Sequence, residues 1–481
     1  MTSYFRFGVS PWWLVMSLLA GSPLANAADS LISLRESQHW AELRLEARAS
    51  LVQESGNVEA YAALVESLWR GGATTEALAE AEKARAAGAD SAALRLSQAN
   101  IFALRRSWED VTRVLVNDVD ATDAVPESLL LVGISLREQG RLDDARRYLT
   151  RLTKQEPTAS RGWLQLANLE LAAKRPTAAQ AALERLPVTA RSGAEALYLT
   201  ARVQADSGQT QTAIATLTHA LEKTPLRASL YALRARQLAN LQAWPEAARD
   251  IHSALLLGAS AASDYLLACE AARMLDDNAA QAAYARIGMA TYAQRIEFPL
   301  QLAYALRALG DAQQARALLG KSVKDFPGNT ALALELALAQ AADGQHQDVI
   351  NTLDALLAKQ PSAQGYALRA YAQLQLGNLV RAGEDATNAL ALESGLVNAL
   401  LVQARVALAQ GLPAQAETPC RQALARAPDL AWAHTTCGEL ALALGNLRAA
   451  QALIEQALRL SPQDAEALRL SAQLKSKGAR P

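Results

Sequence analysis

Aromatic side chains make up only 5% of the 481 residues, and methionine and cysteine occur 4 and 3 times. The 51% of hydrophobic residues are therefore mostly small and aliphatic, with alanine foremost, a composition that favours helix. Charge of one sign is also missing. Lys and Arg number 47 against 48 Asp and Glu, for a net charge of -1, without the positive excess that duplex nucleic acid attracts. No nucleic-acid partner is expected.

The motifs of catalysis are absent as well. No glycine-rich phosphate loop follows a strand, no nucleophile elbow occurs, and the cysteines form no pair at metal-ligand spacing. His39, His219, His252, His346 and His434 are scattered, and none makes the two-on-one-face spacing of a helical zinc site. His434 reads as a structural residue. The acidic residues fall mostly on solvated helix faces, where a carboxylate keeps an ordinary pKa. The sequence predicts neither an enzyme nor a cofactor or metal.

Long apolar runs are missing too, with one short exception near the start. Arg6 is the only charged residue among the first 27, residues 9–20 are apolar, Ser22 and Pro23 break the run, and Ala25-Asn26-Ala27 offers small residues at a signal-peptidase site. This reads as a secretory signal cleaved after Ala27. The run is shorter than the roughly 18 to 20 residues of a bilayer anchor, and nothing later replaces it. A periplasmic chain without a transmembrane segment is expected.

A single core seldom grows beyond about 250 to 300 residues, so a chain this long splits or repeats. It repeats. LVQARVALAQGLPAQAETPCRQALARAP is followed by HTTCGELALALGNLRAAQALIEQALRLSP, so that Gly411, Ala416, Ala423 and Pro428 recur 34 residues later as Gly445, Ala450, Ala457 and Pro462. Walking back from Gly445 puts a turn at Gly411, Gly377, Gly344, Gly310, Asp276, Gln242, Gly208, Lys174, Gly140, Arg106, Gly72 and Gln38, with one step of 33 between Gly344 and Gly377. Each unit holds two helical patterns joined by that turn. In residues 129–157, Gly133 and Ala145 are small where two helices approach, Gly140 supplies a left-handed turn, and Pro157 stops the second helix.

The large residue, small residue, turn glycine, paired alanines and closing proline at these spacings resemble the tetratricopeptide repeat. The resemblance implies an all-α, right-handed superhelical solenoid of about twelve helix pairs, with the first helix of each pair lining a concave groove where partners bind. It divides the chain into a signal at 1–27, an N-terminal capping helix at 28–57, the solenoid at 58–462, and a C-terminal capping helix and tail at 463–481. The unit at 262–295 is irregular, with Asp276-Asp277-Asn278 at its turn, Gly288 at the small-residue position and no closing proline. It reads either as a degenerate repeat or as a local change of superhelical pitch or a hinge.

The positions that the family turns inward carry Tyr198, Arg202, Arg236, Arg273, Tyr304 and Arg307 in the middle units. Later units place Leu334, Leu338, Tyr371, Leu374, Leu401, Leu408 and Trp432 there. A basic zone thus runs into an apolar one. The arginines either bind a ligand or pair internally, since Asp206 lies one turn from Arg202 and Glu270 is within reach of Arg236. No three consecutive units provide the Lys and Asn set with which the family clamps a peptide carboxylate. By register, Cys420 and Cys437 stand on facing core sides of neighbouring helices, where they either bridge in an oxidising compartment or remain small core residues, and Cys269 is a buried thiol.

The resemblance implies a non-catalytic scaffold or adaptor for envelope proteins, of the kind found in polysaccharide export, pilus or secretion machinery, and cytochrome maturation. Two alternatives are a guide for anionic polysaccharide and a self-associating structural homo-oligomer.

Overall fold

The computed structural model describes residues 23–478, and every regular element among them is an α-helix. The apolar run at 9–20, and with it most of the expected signal, lies outside the described residues. The chain divides into two compact units, Met1–Gln237 and Leu238–Pro481.

The first unit contains α1 (Pro23–Glu36), α2 (Trp40–Gln53), α3 (Val58–Arg70), α4 (Thr74–Ala86) and α5 (Ala92–Leu104). It continues through α6 (Trp108–Asp120), α7 (Pro126–Glu138), α8 (Leu142–Gln155), α9 (Ser160–Ala172) and α10 (Pro176–Glu184). The short α11 (Val188–Arg191) precedes α12 (Ala194–Asp206) and α13 (Thr210–Lys223), and α14 (Ala228–Asn240) crosses the division. The second unit continues with α15 (Trp244–Leu256), α16 (Ala262–Met274), α17 (Asn278–Thr291), α18 (Glu297–Ala308) and α19 (Ala312–Asp325). Then come α20 (Thr330–Ala342), α21 (His346–Leu357), α22 (Ala363–Gln375), α23 (Leu379–Leu392) and α24 (Val397–Ala409). It closes with α25 (Pro413–Arg426), α26 (Ala431–Ala443), α27 (Leu447–Leu460) and α28 (Ala465–Gly478).

From α1 to α10, from α12 to α13 and from α15 to α28 each helix packs on the next, and alternate helices of one row also touch one another. In the second unit α16, α18, α20, α22, α24, α26 and α28 form one continuous inner row, with the other helices outside it. In the first unit α1, α3, α5, α7, α9 and α12 do the same. Each unit is a stack of helical hairpins, an α-solenoid whose core is renewed at every repeat.

The turns show how local sequence sets this pattern. Gly140 has φ +77°, and the N–H of Arg141 donates to the carbonyl of Leu136 at 2.8 Å, which satisfies a carbonyl at the end of α7. All the turn positions reached by the 34-residue walk are left-handed, including Gln38, Arg106, Lys174, Gln242 and Asp276, with φ between 55° and 60°. The same hydrogen bond persists without glycine, as from Arg175 N–H to Glu170 at 2.8 Å and from Asp277 N–H to Ala272 at 2.9 Å.

Small residues mark the close crossings. Ala145 and Ala450 are fully buried, and a Cβ added at Gly133 would stand 2.6 Å from Leu149. In the irregular unit α17 runs unbroken through Gly288, and the fully buried Phe298 of α18 fills the space that a side chain there would need.

Both ends of the described residues are helical. The N-terminal segment is a pair rather than one helix, because α1 packs on α2 and α3 through buried Leu31 and half-buried Leu34. At the other end α28 alone covers α26 and α27, with Ala467 and Leu470 buried and Leu474 packed against the same cluster.

Candidate functional site

The inner row of the second unit encloses a cavity of about 1110 Å³. Six consecutive inner helices contribute to it, from Leu300, Tyr304 and Arg307 of α18 to Ala465 and Glu466 of α28. Leu334 and Leu338 of α20, Leu368, Tyr371 and Leu374 of α22, and Trp432 of α26 supply apolar surface between. These residues share a helix face because the spacings within each helix are three and four. Tyr371 meets Trp432 edge to face at 5.6 Å and His346 of α21 at 6.1 Å.

Charge sits at the two ends and is internally engaged. At one end Arg307 Nη2 is 3.0 Å from Glu335 Oε2, with the carboxylate side chain only 8% exposed. The guanidinium lies over the ring of Tyr304, 5.3 Å from its centroid. Burial raises the Tyr304 pKa, and its hydrogen bond to Glu335 adds to the shift. A lone buried carboxylate would be costly, and Arg307 is its counter-ion.

At the other end Arg405 Nη1 is 3.1 Å from Glu439 and 3.2 Å from Glu466, and Arg469 is 3.0 Å from Glu466. Burial acts to raise the Glu466 pKa, but the hydrogen bonds and charges of Arg405 and Arg469 outweigh it and hold the carboxyl below its ordinary range. Asp464 accepts from the Thr435 hydroxyl at 2.8 Å and from the N–H groups of Glu466 and Ala467 at 3.0 and 3.2 Å. It caps α28.

Of the inward positions read from sequence, Tyr304, Arg307, Leu334, Leu338, Tyr371, Leu374 and Trp432 come together in this lining. Arg273 is exposed and outside it, although its charge acts on Tyr304. Leu401 is corrected to a core residue. It is fully buried in a cluster with Leu400, Ala423 and Ala433, and Trp432 packs against that cluster and faces the cavity instead. Leu408 packs against the cluster around Cys420 and Cys437. Tyr198, Arg202 and Arg236 belong to the first unit. There Arg202 donates to Asn168 at 3.1 Å rather than pairing with Asp206 and lies over Tyr198, while Arg236 is exposed on α14.

Sequence reasoning missed Arg405, Glu335, Thr435, Asp464 and Glu466. The register could have found Arg405, which lies 34 residues after Tyr371. The ion pairs need the stacked helices to be seen.

The remaining candidates are structural. Trp163 Nε1 donates to the carbonyl of Pro157 at 2.9 Å. His434 stands in the equivalent place of a later repeat, and its Nε2 donates to the carbonyl of Pro428 at 2.7 Å. Both tie an inner helix to the end of the preceding outer one. Cys269, Cys420 and Cys437 are free and buried, the last two in one cluster. Among the described residues no group of three or more His, Cys, Asp or Glu side chains is placed to hold a metal, and no helix is long and apolar enough to cross a membrane.

The tetratricopeptide-repeat family model matches residues 136–203, 306–372 and 407–474. No curated protein matches the chain. Among solved structures, the APC/C hetero-tetramer Cut9-Hcn1 is 14% identical over 95% of this chain and 98% of that one, with a TM-score of 0.46. A thermophilic TPR protein from Thermus thermophilus is 26% identical over 37% of this chain and 97% of that one, at 0.33. A tetratricopeptide repeat protein from Parabacteroides merdae is 15% identical over 58% and 98%, at 0.32. The three matched segments lie in helical hairpins of one register, so the chain carries tetratricopeptide repeats on the fold described above.

Proposed function

We propose that the protein is a non-catalytic scaffold or adaptor that holds segments of partner proteins in the cavity of its second unit. The observation that carries this reading is the continuity of the lining across six inner helices, at about 1110 Å³. Small-molecule sites occupy about 300 to 1,000 Å³ and close around their ligand. A trough built repeat by repeat suits a length of chain better. Its middle is aliphatic and aromatic, the residue types that anchor protein interfaces.

The same geometry weighs against an anionic-polysaccharide guide. Arg307 and Arg405 already have carboxylate partners, so a polyanion would have to compete for them. A self-associating oligomer would fill the trough with a second copy, which sedimentation of the purified chain detects as a dimer.

The proposed place of action is the periplasm, in an envelope assembly such as polysaccharide export, pilus or secretion machinery, or cytochrome maturation. Support comes from the sequence: the short apolar run at 9–20 and the small residues at 25–27. Cleavage after Ala27 would remove the first turn of α1 and keep Leu31, which docks that helix. Mass spectrometry of the exported protein should find a chain beginning at Ala28. A membrane-held species beginning at Met1 would sink the export reading.

Affinity capture from envelope extracts tests the binding reading. Wild type should retain a partner that a Leu338→Glu, Leu374→Glu double variant loses at unchanged helicity. Equal capture by both would move the site elsewhere.

A further inference from the structure

The two ends of the cavity differ in one respect that bears on what it binds. Each lining guanidinium is committed: Arg307 to Glu335, and Arg405 to Glu439 and Glu466. Glu466 is shared with Arg469. Asp464 is the exception among the lining carboxylates. Its partners are the Thr435 hydroxyl and two backbone N–H groups, and among the described residues no cation stands within ion-pair distance of it.

Asp464 is also close to the aromatic part of the wall. Thr435, which bonds it, follows Trp432 by three residues on α26 and so shares its face. Trp432 and Tyr371 both line the cavity and meet edge to face at 5.6 Å. Aromatic faces attract Lys and Arg head groups, Trp most strongly, and the aliphatic stems of these side chains pack well on surfaces such as Leu368 and Leu396.

A ligand anion finds less here. The N-terminus of α28 would attract one, but Asp464 already occupies that place as its cap. A carboxylate would face Asp464 and Glu466 and meet no uncommitted cation.

We propose that the cavity selects polypeptide segments that carry a lysine or arginine within an apolar stretch, the cation lying against Trp432 and Tyr371 and facing Asp464. This rests on the reading of the cavity as a protein-binding trough and adds to it the chemistry of the partner.

Calorimetric titration of the full chain tests it. The probes are a synthetic amphipathic peptide of Leu, Ala and Gln with one central Lys, and its counterparts with norleucine or Glu at that place. The Lys peptide should bind about tenfold more tightly than the norleucine peptide, and the Glu peptide most weakly. Asp464→Asn should erase the Lys preference while leaving norleucine-peptide binding intact. Asn caps a helix as well as Asp does, so the fold survives, which a thermal melt verifies. Trp432→Leu should reduce the same preference. Equal binding of the Lys and norleucine peptides, or a preference for Glu, would overturn this inference and leave the trough reading standing. Displacement of the Lys peptide by an alginate oligomer would also overturn it. If no peptide bound and Leu338→Glu changed nothing, the trough reading itself would fall.

Discussion

A Cβ placed on Gly288 would stand 2.6 Å from Cζ of Phe298 and closer still to Cδ1 and Cε1, so the ring of α18 occupies the space of a missing side chain on α17. One 34-residue step away in either direction, the place of Gly288 holds Ala254 or Ser322, and that of Phe298 holds Asp264 or Leu332. A large residue on one side of this crossing is matched by loss of volume on the other. Gly288→Ala should therefore destabilise the protein by about 1 to 3 kcal/mol, as overpacking does, and adding Phe298→Leu should recover part of that loss. Gly320, a helical glycine with open space at its Cβ position, is the control. Gly320→Ala should stabilise by up to about 1 kcal/mol. Denaturant titration of the four proteins reads the difference.

Much of this architecture was legible because it repeats. Register located even the turns that lack glycine, since Arg106 or Lys174 stands where neighbouring repeats hold Gly140 or Gly208. The cavity was half legible. Tyr304, Leu338 and Tyr371 follow from register alone, but an inward position does not say whether a side chain is covered, and Trp432 covers the cluster that contains Leu401. The exchange between Gly288 and Phe298 was hidden for a different reason. Ten residues separate them, on different helices, so only packing shows that one answers the other. The N-terminal pair was missed because α1 keeps a short apolar face, Leu31 and Leu34, beside an expected cleavage site.

The non-glycine turns carry a cost that substitution can remove. A left-handed backbone is strained for a residue with a Cβ, by roughly 1 to 2 kcal/mol in the regular case. Lys174→Gly and Arg106→Gly should each stabilise the protein by about 0.5 to 1 kcal/mol, because both residues have φ near +55°. Gly140→Ala should lose a similar amount. Thermal melts of the three variants test the assignment, and destabilisation by Lys174→Gly would contradict it.

Acid should loosen the C-terminal end of the cavity. Arg405 and Arg469 overcome the effect of burial and lower the Glu466 pKa in the folded state, so the unfolded chain binds the Glu466 proton more tightly. Stability from this group is then present above the ordinary carboxylate value of about 4.3 and is lost as pH falls through the lower folded value. Glu466→Gln should cost at most about 1 kcal/mol at pH 7, since its side chain is 34% exposed. The gap from wild type should close in the acid range. Urea titrations at several pH values follow that gap, and one that stayed constant with pH would count against the charge assignment.

The last prediction concerns the two thiols behind the cavity wall. Cys420 on α25 and Cys437 on α26 are both buried in one cluster, and a hydrogen bond with Cys420, followed by burial, raises the Cys437 pKa. Burial pushes Cys269 up to about 12 against a backbone hydrogen bond that acts to lower it. All three thiols are buried and out of reach of solvent reagents, so the folded, reduced protein should resist alkylation at pH 8. A bridge must therefore form while the chain is still opening or folding. Refolding in a glutathione redox buffer should join Cys420 to Cys437, the two thiols giving up two electrons and two protons to oxidised glutathione in two exchange steps. Cys269, in a separate cluster, should stay free. Peptide mapping should then show the 420–437 crosslink, and unfolded, unreduced protein should titrate with one thiol. The closed loop is short, so the chain-entropy benefit is on the order of 3 kcal/mol where the geometry is unstrained. Three titratable thiols after oxidative refolding, with no crosslinked peptide, would show that the pair serves packing alone.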